Sequence, residues 1–235
     1  VKAAADCLGK VRRDPNELGL LVNTGIYRDR DIGEPSIASF IQQRIRANEL
    51  FTGAEGTFSF DLNNGAGGML TAAMVVDGFL ATGAVKYGLV VTSDAEPHPG
   101  QCESYPFVPA GAALLLSRGR AGEGFLHFRT DTDTEFAADF ASRIEWTAKG
   151  RKKRNILMVR QKEEYARHCA RCAREGLADF LQEISMPMEE IDIVVPSPGP
   201  PGWLAELVRE PGLGERTVVL PEAFARMHTA GLGFA

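Results

Sequence analysis

The stretch that most limits what this chain can fold into is a glycine-rich turn, Asn63-Asn-Gly-Ala-Gly-Gly68, set between a β-rich segment and a long apolar one. Thr57 to Leu62 reads as a strand. From about Met69 to Thr82 every residue except Asp77 is Ala, Val, Leu, Met, Phe, Thr or Gly, which predicts a helix. A helix apolar on most sides belongs in the interior. The 235 residues, 44% of them hydrophobic, suffice for one large domain or two small ones with a core able to bury it.

Around this unit strands and helices alternate. Gly19-Leu-Leu-Val-Asn-Thr24 is a short apolar run suited to a buried strand, entered from Asp14-Pro15-Asn16-Glu17. Ser36 is placed to cap a helix through Asn48, with Ile37, Phe40, Ile41 and Ile45 on one face. Tyr87 to Asp94, Ala110 to Ser117 and Gly124 to Thr130 read as strands. A helical pattern runs from about Asn155 to Ile184, followed by strand-like Ile191 to Pro196, a short helix at Trp203 to Val208 and a strand at Thr217 to Leu220. Glu17-Leu-Gly-Leu-Leu-Val22 and Glu190-Ile-Asp-Ile-Val-Val195 share a character, and each follows a proline, a faint internal echo. Such alternation predicts a layered α/β fold.

Charge and composition exclude several roles. The net charge is −5, so no global basic field recommends nucleic acid. No run approaches the roughly 20 apolar residues that cross a bilayer. Val1-Lys2-Ala3 shows no signal-peptide pattern and reads as the middle of a longer chain. Four cysteines, unevenly placed, make no disulfide framework, which favours a reducing, cytoplasmic compartment.

Phe60-Asp-Leu-Asn-Asn-Gly-Ala-Gly-Gly68, the apolar helix, and Thr82-Gly-Ala-Val-Lys-Tyr-Gly-Leu-Val-Val-Thr-Ser-Asp94 together resemble ketoacyl synthase III of the thiolase superfamily. In that family a strand reading roughly F-D-[LIV]-N-A-A-C-S-G enters a buried helix that ends in S-G-x-x-[KR]-x-[AV]-L-V-[VI]-[GT]-S-[DE]. Phe107 to Leu116 is similar to its F-G-D-G-A-G-A-A-x-L, with Pro109 in place of the acidic residue. Val194-Val-Pro-Ser197 stands where the family has [LV]-V-P-H-Q-A-N, and Met227 to Gly231 where it has G-N-T-S-[AS]. The resemblance implies a thiolase-like αβαβα fold of two similar halves, 1–135 and 136–235, with mixed sheets around buried helices and both termini of the fold missing. It implies a dimer, formed through the strand preceding Asp94 and its neighbours, either of this chain or with a paralogous synthase. It further implies acyl-CoA or acyl-carrier-protein thioesters as partners, fatty-acid or polyketide-type metabolism, and neither cofactor nor metal.

The family reaction, by the same resemblance, is a decarboxylative Claisen condensation: a cysteine at a helix N-terminus takes the acyl group, and a His and an Asn hold the incoming thioester. A helix N-terminus favours the thiolate, the reactive form. Here all three positions differ: Ala66 for the nucleophile, Ser197 for the His and His228 for the Asn. Gly65, Gly67 and Gly68 keep backbone N–H groups that can hold a carbonyl or phosphate oxygen, or else serve only tight packing. Two functions stay open: a condensing enzyme or acyltransferase with altered residues, and a non-catalytic binding or partner subunit.

Other features carry weaker chemistry. Lys149-Gly-Arg-Lys-Lys-Arg154, with Arg151, Lys152 and Arg154, is a solvated turn or a dock for the phosphates of coenzyme A or an acidic carrier protein. His168-Cys169-Ala-Arg-Cys172 lacks the second pair of a zinc site and suits a helix facing the core. Cys102 with His98, and Ser197 with His228, are alternative nucleophile–base pairs. Asp131, Asp133 and Glu135 read as solvated charges at a strand end.

Overall fold

The computed structural model describes residues 1–48, 56–99, 105–147, 154–219, 221, 224 and 226–234. The chain opens with helix α1 (Lys2–Lys10), which the sequence reading left unassigned, and then strand β1 (Leu20–Asn23). Helix α2 (Ile37–Ile45) starts at Ser36, whose hydroxyl accepts from Ser39 N at 3.2 Å, as the cap predicts. Strand β2 (Phe58–Asp61) leads through a 3-10 turn at Gly65–Gly67 into helix α3 (Gly68–Ala81), and strands β3 (Tyr87–Asp94) and β4 (Ala110–Ser117) follow.

These four strands form one mixed sheet in the order β2-β1-β3-β4, with β1 parallel to β2 and β3, and β4 antiparallel to β3. Alternate faces of β1 serve two cores. Leu21 points with Leu89 and Val91 toward α1 and α2, where Ala4, Leu8, Ala38 and Ile41 are buried. Leu20 and Val22 point with Val90 toward α3, meeting Met69, Ala72, Val76 and Leu80. A strand buried on both faces reads as the continuous apolar run that the sequence shows. β3 is hydrogen-bonded on both sides, and among the described residues the outer strands of this sheet are β2 and β4.

The second part departs further from the sequence reading. Gly124 to Thr130 is not a strand. The missed strand is β5 (Phe140–Thr147), which pairs antiparallel with β6 (Arg154–Gln161). The helical pattern from Asn155 therefore splits: Ile156 to Val159 lie in β6, and only Tyr165–Glu183 is helix α4. A short apolar run suits either state, and the partner strand decides it. Ile191 to Pro196 and the segment at Thr217 make a single parallel bridge, Val194 to Thr217, and the chain between them includes the short helix α5 (Trp203–Leu207). The echo has a local counterpart. A 3-10 turn at Pro15–Glu17 precedes β1, and another at Met188–Glu190 precedes the extended chain at Val194.

Two carboxylates, Asp61 part-buried and Asp94 buried, lock the ends of the strands. At the end of β2, Asp61 accepts from Ile37 N and Ala38 N at 2.9 Å each, completing the N-terminus of α2, and pairs with Arg28 at 2.9 Å. At the end of β3, Asp94 is 2% exposed. Its Oδ1 accepts from Ile26 N at 2.8 Å and Tyr27 N at 2.9 Å, while Oδ2 accepts from Thr229 N at 3.1 Å and from the Thr229 hydroxyl.

Replacing Asp94 by Ala strands three backbone N–H groups, so urea unfolding is expected to show a loss of about 3 kcal/mol or more. A loss below about 1 kcal/mol would mean that water or a neighbour takes over those donors.

Candidate functional site

Three segments far apart in sequence supply the site, and each has a local reason for its shape. The first is the turn ahead of α3. Gly65 has φ +49°, a conformation that costs glycine little. Asn64 Nδ2 donates to Thr71 Oγ1 at 2.8 Å, and Thr71 Oγ1 donates to Gly67 O at 3.1 Å, stapling the turn to the helix it opens. Ala66 lies half-buried in this turn. The second is Pro196 to Gly202. The third is the loop at His228, also at positive φ (40°), which Asp94 grips through Thr229. Pro198 and Gly231 bring the second and third together: a Cβ on Gly231 would stand 1.8 Å from Pro198 Cγ, so only glycine permits this approach.

A cavity of about 700 Å³ lies between them, with Gly65, Ala66, Ser197 and His228 in its wall. Most of its remaining wall is aromatic, aliphatic or proline, including Tyr27, Phe107, Tyr165 and Trp203. Among the described residues Arg226 is its one cationic side chain, tied through Nε to Pro106 O at 2.9 Å.

His228 is 7% exposed, its ring 4.2 Å from that of Phe107 and 5.4 Å from that of Tyr27. Its Nδ1 is buried without a hydrogen-bond partner. Burial in this aromatic surround pushes its pKa below the ordinary histidine value, with the nearby Asp94 charge opposing, so the imidazole is neutral near pH 7. No hydrogen bond joins Ser197 to His228, and the Ala66 methyl has no lone pair. Among the described residues, then, the wall holds no activated nucleophile.

The structure thus brings Gly65, Ala66, Ser197 and His228 to one cavity. Gly67 and Gly68 form no part of its wall; a Cβ on buried Gly68 would meet Thr24 Cβ at 3.1 Å, which is a packing role. Arg151 and Lys152 lie outside the described residues, and of Arg154 only the backbone, in β6, is described. Cys102 also lies outside them, and His98 is engaged by Asp31 at 3.0 Å. His168 gives Nδ1 to Asp139 at 2.6 Å and stacks on Phe136, while burial pushes the Cys172 thiol up to about 11, so this segment is spent on packing. Asp131 pairs with Arg129, and Glu135 with Arg171, in a region without a strand. Sequence reasoning missed Tyr27, Phe107, Trp203 and Arg226, and the contribution of Phe140, Ser142 and Gln161 from the β5–β6 hairpin. The aromatic residues just beyond β1 and just before β4 were the available signal.

Comparison with known structures accounts for this architecture. The chain superposes on a 3-oxoacyl-(acyl-carrier-protein) synthase III with a TM-score of 0.74, over 98% of its own length and 74% of that chain, at 18% identity. The fold is that of ketoacyl synthase III. OleA of Xanthomonas campestris, another thiolase-superfamily protein, has the same fold. Its structure with bound lauric acid and lauroyl-CoA matches at TM-score 0.67, 18% identity, 98% of this chain and 71% of that one. Its cerulenin-bound structure matches at 0.66 and 18% identity, covering 98% of this chain and 70% of that one. No protein-family profile matches the sequence, and no curated protein matches it. Among the described residues no helix of this ketoacyl synthase III-like chain is long and apolar enough to cross a membrane.

The depressed histidine sets a pH dependence. Unfolded His228 regains its ordinary pKa of about 6.5 and then binds a proton that the folded ring refuses, so stability is lost as pH falls through and below that value. Urea unfolding between about pH 7.5 and about pH 5.5 is expected to show a steeper acid loss in the native protein than in His228→Gln. Parallel profiles would mean that the ring is not held neutral by burial.

Proposed function

We propose that this protein binds acyl thioesters of coenzyme A or of an acyl carrier protein in the cavity at Ala66. It would act as a condensing-enzyme homologue of fatty-acid or polyketide-type metabolism that forms no acyl-enzyme at residue 66. The observation that carries this reading is that Ala66, Ser197 and His228, at the nucleophile, His and Asn positions of the ketoacyl synthase III pattern, share the wall of one largely apolar cavity. Each methylene moved from water into such a space contributes about 0.8 kcal/mol, so an acyl chain supplies its own affinity. Neutral His228 stands in the cavity wall, and its imidazole can give or take a hydrogen bond at the polar end of that chain. With a methyl in place of the thiol, the acyl group stays on its carrier sulfur. Arg226, and beyond the described residues the run containing Arg151 and Lys152, with Arg154 next to them, supply cations suited to phosphate or to an acidic carrier protein.

A second reading, a non-catalytic subunit paired with an active synthase, is favoured by the joint loss of nucleophile, His and Asn. Two thiolase-like halves, 1–135 and 136–235, remain part of either reading, supported by the 3-10 turns at Pro15 and Met188, each followed by extended chain.

Incubation with acyl-CoA followed by intact mass measurement is expected to show no adduct on the native chain, while calorimetry shows binding. In Ala66→Cys the thiol sulfur attacks the thioester carbonyl, free coenzyme A leaves, and the mass rises by one acyl group. A folded Ala66→Cys that binds acyl-CoA and is never acylated would remove residue 66 from the reaction position. Full condensation by Ala66→Cys alone would remove the partner-subunit reading.

A further inference from the structure

The β5–β6 hairpin has one face in the cavity and carries that face out of it. Phe140, Ser142 and Gln161 are part of the cavity wall. Side chains alternate along a strand, so Ile144 and Trp146 continue the line begun by Phe140 and Ser142. The register agrees: Phe140 stands opposite Gln161, Ser142 opposite Val159 and Ile144 opposite Leu157, so these residues share the face. On the reverse face Arg143, Glu145 and Arg160 are joined by ion pairs at 2.5 and 3.5 Å and belong to solvent. The cavity face should turn polar where it leaves the cavity. Along β5 it does not: Ile144 is 49% and Trp146 62% exposed.

We propose that Ile144 and Trp146 form a distal subsite for the far end of a long acyl chain whose near end fills the cavity. This rests on the acyl-thioester reading of the cavity. The continuity of one strand face from the cavity wall to the exposed pair selects the occupant, since a chain leaving the cavity along Ser142 meets Ile144 next. From Ser142 to Trp146 the strip is about 13 Å long, so it distinguishes chains by length. Short acyl groups end inside the cavity. Long ones cover the strip and remove both exposed apolar side chains from water.

The two tryptophans of the chain report separately, because Trp203 lines the cavity and Trp146 lies on the strip. The experiment titrates the native protein, Trp203→Phe and Trp146→Phe with butyryl-, lauroyl- and palmitoyl-coenzyme A, following tryptophan emission. Trp203, read in Trp146→Phe, is expected to respond to all three. Trp146, read in Trp203→Phe, should shift to shorter wavelength with palmitoyl-coenzyme A and stay unchanged with butyryl-coenzyme A. Ile144→Glu should weaken palmitoyl-coenzyme A binding by about tenfold, through the loss of apolar contact, and leave butyryl-coenzyme A binding unaltered. If Trp203 responds to every chain while Trp146 responds to none, the distal subsite is overturned and the cavity reading stands. If neither responds, the cavity reading itself fails. A Trp146 shift that follows protein concentration without ligand would assign the strip to a second copy of the chain and overturn the proposal.

Discussion

The carboxylate of Asp94 is the constraint on which the rest of the site depends. It stands at the end of β3, where the central sheet stops, and takes hydrogen bonds from the loop after β1 and from the loop at Thr229. A buried charge is stable only when its oxygens are filled by donors, and here the donors are backbone N–H groups that would otherwise be stranded in the interior. Two loops 203 residues apart in the chain (26 and 229) thereby become one wall. Tyr27 and His228 ride on those loops, next to the donors that Asp94 holds. Thr92 adds a second tie, its hydroxyl bonding that of Thr229.

On that frame the cavity is assembled from parts that do not depend on one another. The turn before α3 is stapled by Asn64 and Thr71, and the 197–202 loop is held by the tight approach of Gly231 to Pro198. Neither tie needs a reactive residue. The methyl at position 66 takes no part in the stapling, so the turn and the cavity wall hold their shape without it. Among the described residues the wall is largely apolar and includes the neutral His228 imidazole and Arg226. Under the proposed function such a space holds an acyl group that stays on its carrier sulfur.

The helix α3 and strands β3 and β4 were legible because their patterns are local. A run of fourteen residues from Gly68 to Ala81 that is almost wholly apolar has one stable location, and Ser36 announces the start of α2 by its own hydroxyl. The hairpin was not legible. Ile156 to Val159 is too short to show a period, and its strand character comes from pairing with β5. The segment at Gly124 to Thr130 has a strand's composition and finds no strand partner among the described residues.

The sequence by itself determined that a buried helix follows a sharp glycine bend, that residue 66 at that bend is inert, and that the positions of Ser197 and His228 differ from the pattern they resemble. These are matters of residue identity and local spacing. Only the tertiary structure decided that the three positions share one cavity, that the His228 ring is neutral there, and that the face of β5 lining the cavity continues as exposed isoleucine and tryptophan. Burial, desolvation and strand partnership are properties of atoms brought together from distant parts of the chain, and no local window of residues contains them.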